Sequence, residues 1–249
     1  SGSVDVQADW EFDRNTATDS GGALYLGSPL AASLQQVTLS GNAAVGQGGA
    51  AYVNANSVPV TLDGVTLVDN CAVGSGGAIY SRASTVTMTG GAVRGNFVGV
   101  THASGEVGGR QDCTHRFTDR ESALVAAATS PVLGGGVYAV QGHLTVNTTV
   151  VEDNSAGAGG AVHCASCNLH IGGSTVQRNW AATSGGGVDS VSSATVTIVN
   201  TALRDNSAGM VGGGWSAVDT VGLVGGATLF RNNTARSNPM TPDRKAGGG

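Results

Sequence analysis

Residues 76–96 read Gly-Gly-Ala-Ile-Tyr-Ser-Arg-Ala-Ser-Thr-Val-Thr-Met-Thr-Gly-Gly-Ala-Val-Arg-Gly-Asn, and this stretch decides the fold. A glycine pair opens a short apolar phrase, Ala78-Ile79-Tyr80. A second phrase, Val86-Thr87-Met88, alternates apolar and polar residues, the period of a strand with one face buried. A third runs from Val93 to Asn96. Three short strands with tight turns between them fit in this space, and no helical period does.

The same unit recurs in both directions. The asparagine returns at 15, 42, 70, 96, 154, 179, 206 and 233, and the second glycine of a pair at 22, 49, 77, 135, 160, 186 and 213. The glycine follows its asparagine by seven residues in nearly every unit, so two markers keep one phase. The alternating phrase returns as Val60-Thr61-Leu62, Leu144-Thr145-Val146, Leu169-His170-Ile171 and Val196-Thr197-Ile198. A unit of about 27 residues cannot bury its apolar side alone, whereas stacked copies can. The sequence therefore predicts an all-β, right-handed, single-stranded parallel β-helix of about seven coils. In it Val60, Leu62, Val86, Met88, Leu169 and Ile171 point inward, and Thr61, Thr87 and Thr197 outward. Glycine permits the close turns. The asparagine is expected in a left-handed turn position, bonded to its equivalents on adjacent rungs.

Composition agrees. Of 249 residues 41 are glycine, only 12% are charged and 4% aromatic, while 40% are hydrophobic. That is too apolar for a disordered tail and calls for thin layers of small aliphatic side chains. The net charge of −5, with no basic cluster, gives nucleic acid or an anionic membrane no electrostatic footing. No apolar run reaches membrane-span length.

The glycine-pair-plus-aliphatic phrase, combined with Phe12-Asp13-Arg14-Asn15 and Phe230-Arg231-Asn232-Asn233, resembles the repeats of chlamydial polymorphic outer-membrane proteins and related extracellular β-helix proteins. Six intermediate units carry Leu or Val in place of Phe. The resemblance spans nearly all of the chain except about 97–133, and it implies an extracellular or cell-surface rod with adhesive roles. Both ends fall within a coil, so residues 1–249 are expected to form one β-helical stretch of a longer array. The segment at about 97–133 is expected to be a lateral insertion. Its centre is charged, and Thr118 to Glu121 offers a capping box for a short helix ending at Ser130-Pro131.

Several constellations compete for a function. Tyr25, Tyr52, Tyr80 and Tyr138 share one outward slot, continued by His163, Asp189 and Ser216. The slot is either a stiffening cross-strand ladder or a binding strip for sugar rings or a protein partner. His163, Asp189 and Ser216 do not make a hydrolytic triad, because Asp189 occupies the middle rung and leaves His163 and Ser216 about 9–10 Å apart. His163, Cys164, Cys167 and His170 have the look of a metal site, but alternation sends Cys164 inward and His163 outward. The cysteines are instead expected to pair as Cys71–Cys113 and Cys164–Cys167. Asn147 and Asn232 open N-glycosylation sequons. Thr61, Thr87, Thr145 and Thr197 form an outward row, interrupted by His170 and Val224, so an ice-binding solenoid is a further reading. A polysaccharide lyase or hydrolase of the same fold is another, although the carboxylates do not converge. The expected function is thus a non-catalytic structural or adhesive rod without cofactor. Its partners would be another protein, a surface glycan, or further copies along the rod.

Overall fold

A computed structural model describes residues 2–27, 30–55, 58–99 and 132–236. The described chain is a parallel β-solenoid of about seven turns, built of four stacked sheets with 8, 8, 8 and 7 strands. Every paired strand lies parallel to its equivalent one coil away. The Gly-Gly phrases form one sheet, among them Ala51–Asn54, Ile79–Arg82 and Val137–Val140. The alternating phrases form the next, for example Pro59–Asp63 and Thr85–Thr89. A third sheet stacks Thr66–Val68 and Ala92–Arg94. The fourth consists of two-residue strands after each asparagine, such as Cys71–Ala72 and Phe97–Val98. Three strands per coil were legible in the sequence. The fourth is too short to show any period.

Register follows alternation. Val60, Val86, Leu144, Leu169 and Val196 pair in sequence as one inward column, and Leu62, Met88, Val146, Ile171 and Ile198 as the next. All ten are buried. Thr61 is exposed, while Thr87, Thr145 and Thr197 in the same outward column are half-buried by their neighbours on adjacent rungs. The column continues through His170 to Leu223. The sequence reading had placed Val224 there, but Val224 stacks on the inward Ile198.

The asparagines run as a ladder through the solenoid. Asn42 Nδ2 donates to Asn70 Oδ1 at 2.9 Å and to the Phe12 carbonyl at 2.8 Å. The backbone N–H of Asn42 donates to the same Oδ1 at 3.0 Å. The pattern repeats from Asn15 through Asn70, Asn96, Asn154, Asn179 and Asn206 to Asn233. These amides satisfy turn groups that stacking removes from water, where an unpaired donor or acceptor is costly. The left-handed position belongs not to the asparagine, as expected, but to the residue before it. Arg14, Gly41, Asp69, Gly95, Asp153, Arg178, Asp205 and Asn232 have φ between 52° and 65°. That residue makes the turn and leaves the asparagine free to aim its amide along the stack.

The glycine pair divides its labour similarly. The first glycine, such as Gly76 with φ +69°, is left-handed. The second lies against the next coil: a Cβ on Gly77 would strike the carbonyl oxygens of Gly135 and Phe97. Only glycine lets the two backbones approach.

At the edges of the expected insertion, Phe97–Val98 pairs with Cys71–Ala72, and Leu133 bridges to Ala158. The insertion's centre and its expected short helix lie outside the described residues. Among the described residues no helix is long and apolar enough to cross a membrane.

Candidate functional site

The outward slot of the Gly-Gly sheet is the most structured surface feature. Tyr25, Tyr52, Tyr80, Tyr138, His163, Asp189 and Ser216 occupy directly paired positions on seven successive strands. Fixed register on parallel strands brings their side chains one above another. Tyr25 and Tyr52 stack with ring centroids 5.0 Å apart and planes 14° from parallel, and Tyr52 and Tyr80 stack at 5.3 Å and 5°. Tyr80 and Tyr138 are tilted by 49° at 5.0 Å, and Tyr138 meets the His163 ring at 5.2 Å. Tyr52 therefore turns both faces of its ring to its neighbours. The array favours the offset stacking that aromatic quadrupoles prefer.

The slot points away from the core, as alternation requires, but it is not uniformly exposed. Tyr25 is 62% exposed, whereas Tyr80 is 6%, His163 3%, Asp189 2% and Ser216 7% exposed. The expectation of a solvent-facing strip thus holds at Tyr25, holds in part at the half-buried Tyr52 and Tyr138, and fails at Tyr80, His163, Asp189 and Ser216. Alternation tells which side of a strand a residue takes, and does not tell what covers that side. Burial raises the hydroxyl pKa of Tyr52, Tyr80 and Tyr138, because the phenolate is disfavoured where water is excluded; the positive charge of Arg82 opposes this at all three.

Beyond the tyrosines, His163 Nδ1 lies 3.0 Å from Asp189 Oδ2. The approach is off the line a hydrogen bond needs, and Asp189 Oδ1 is buried without a hydrogen-bond partner. Ser216 pairs with Asp189, not with His163. Ser216 is therefore not placed for His163 to activate, and the three residues do not form the relay of a hydrolase.

Cys164 and Cys167 are joined by a disulfide with Cα atoms 5.6 Å apart, inside the core, while His163 lies on the other face of the strand. The expected Cys71–Cys113 pair involves Cys113, which lies outside the described residues. Among the described residues no three His, Cys, Asp or Glu side chains gather as a metal site. Of the sequon residues, Asn147 is half-buried and Asn232 exposed, its Nδ2 donating to Asp205 Oδ1 at 3.2 Å. The carboxylates of Glu152 and Asp153 come together around one cation. Arg178 Nη2 reaches Glu152 Oε2 at 2.6 Å and Asp153 Oδ2 at 2.9 Å, and its Nε donates to Asp153 Oδ1 at 3.0 Å. These bonds, first of all those to Asp153, hold the guanidinium charged and raise its pKa. A carboxyl pair bound in this way is not free to act as acid and base.

One ordered feature escaped the sequence reading. The backbone N–H of Thr149 donates to Ser174 Oγ at 3.2 Å, and that of Ser174 to Thr201 Oγ1 at 3.4 Å. The three hydroxyls donate in turn to the carbonyls of Gly90, Val146 and Ile171. Earlier coils fill this column with buried Val37 and Val65. The signal was present in the spacing of 149, 174 and 201, but single Ser and Thr residues are too common to stand out.

No curated protein and no solved structure matches the chain. Among protein families, the Chlamydia polymorphic membrane protein repeat matches at residues 11–27 and 64–82. Each matched stretch runs from a strand of the third sheet, through its ladder asparagine and glycine pair, into the next tyrosine-bearing strand. Over those two stretches the chain is similar to the Chlamydia polymorphic membrane protein repeat.

Proposed function

We propose that this chain is a non-catalytic module of an extracellular or cell-surface β-helical rod, structural or adhesive in role. The observation that carries the reading is the similarity of two coils to a repeat of membrane proteins, in a molecule whose repeating residues are spent on stacking. Asparagine amides, glycine pairs and aliphatic columns all bond or pack coil to coil. A rod of this kind offers length and a regular surface, on which another protein or a surface glycan can dock. The tyrosine slot contributes hydroxyl groups, ring edges and the outer face of Tyr25. The carbohydrate-active alternative needs two free carboxylates at a working separation, and Glu152 and Asp153 are instead held by Arg178.

The test is attachment. Beads coated with the folded chain are expected to bind cells or immobilised glycans above the level of beads coated with unfolded Leu67→Asp. Equal binding by the two would overturn the adhesive role. Cleavage of a polysaccharide that is abolished by one carboxylate substitution would overturn the non-catalytic one.

A further inference from the structure

The geometry of the first two tyrosines points to a covalent modification. We propose that Tyr25 and Tyr52 couple into an intramolecular dityrosine when the rod meets hydrogen peroxide and a haem peroxidase, stapling two neighbouring coils.

Three observations select this pair. The residues sit directly opposite each other on adjacent parallel strands, with ring centroids 5.0 Å apart. Tyr25 is 62% exposed and Tyr52 half-buried, so a bulky oxidant reaches this end of the ladder; Tyr80, at 6%, is shielded. Finally, the Tyr25 ring lies over Gly27, whose missing Cβ would stand 3.2 Å from Tyr25 Cε1. Cε1 is one of the two ring carbons ortho to the hydroxyl, the carbons through which phenoxyl radicals join. Glycine at position 27 leaves it without a side chain across it and gives the exposed ring room to turn.

The chemistry balances. One-electron oxidation of Tyr25 releases its hydroxyl proton to water and leaves a phenoxyl radical. An electron from Tyr52 can cross the stacked contact and refill it, with the Tyr52 proton also passing to water, after which Tyr25 is oxidised a second time. The two radicals form one carbon–carbon bond between ortho carbons. Each joined carbon then passes its hydrogen to its own oxygen, restoring two phenols. The net loss of two electrons and two protons reduces one hydrogen peroxide to two waters. Neither the adhesive reading nor any ligand is needed for this step.

The experiment treats dilute folded chain with a haem peroxidase and hydrogen peroxide. The product is digested with chymotrypsin, and linked peptides are identified by mass spectrometry. The expected result is one principal link, Tyr25 to Tyr52, lighter by two hydrogens than the separate peptides and formed in a yield independent of protein concentration. Tyr25→Phe and Tyr52→Phe should each abolish it while keeping the ring stack, and Tyr138→Phe should leave it. The stapled rod should also melt at a higher temperature, since a cross-link restricts the unfolded chain. Links only between molecules, links spread evenly over the four tyrosines, or oxidation of Tyr25 without any dityrosine would overturn the proposal.

Discussion

One asparagine side chain per coil bonds the coil below and the coil above, so the solenoid is sensitive at single residues. Asn154→Ala removes the acceptor of the Asn96 backbone N–H and the donor to the Val93 carbonyl. Each group left unpaired in the interior costs about 1–3 kcal/mol. The variant should unfold at clearly lower urea concentration, whereas exposed Thr61→Ala should stay within about 0.5 kcal/mol of the parent. Leu67, fully buried between Leu39 and Val93, makes the harsher test. Leu67→Asp places an unpaired charge in a dry column and should abolish folding, read as loss of the β-sheet circular dichroism signal. A folded Leu67→Asp would mean that the column is not closed to water.

At the scale of elements, side-chain contacts in the tyrosine slot run from Tyr25 to Asp189 and tie six strands of one sheet together. Tyr52→Ala deletes two ring contacts, each worth about 0.5–1.5 kcal/mol beyond area burial, and calorimetry should record a loss of that order. The slot also gives the rod an alkaline limit. Burial raises the Tyr80 pKa above its ordinary 10.0, so the native state holds that proton more tightly than the unfolded chain does. The resulting stability is fully present below pH 10.0 and is lost as pH rises through the higher native value. Denaturant midpoints should therefore fall above pH 10.0, and less steeply in Tyr80→Phe; identical pH dependence would remove burial as the cause. Much of this element was legible in the sequence, because four tyrosines at one phase of the repeat share a column in any in-register stack. The burial of His163 and Asp189 was not, since a strand's own alternation carries no information about what packs over its outer face. The left-handed residue before each asparagine also went unread: six coils place Gly, Asp or Asn there, residues that tolerate the conformation, but Arg14 and Arg178 break the pattern.

For the whole molecule, the claim on which everything else depends is that coils stack in parallel with one register. The proposed function, the asparagine ladder and the dityrosine geometry all fail if the register slips, because a one-residue slip turns every inward side chain out. Thr61 and Thr87 are direct partners on adjacent strands, while Met88 pairs with Leu62 and faces the core. Adjacent strands about 4.8 Å apart bring paired residues within disulfide reach, about 4.4–6.8 Å between Cα atoms. The most direct measurement is engineered cross-linking under mild oxidation, mapped without reduction. Thr61→Cys with Thr87→Cys should form the inter-coil disulfide in the folded chain, and Thr61→Cys with Met88→Cys should not. A bond in the second variant and none in the first would contradict the stacked register.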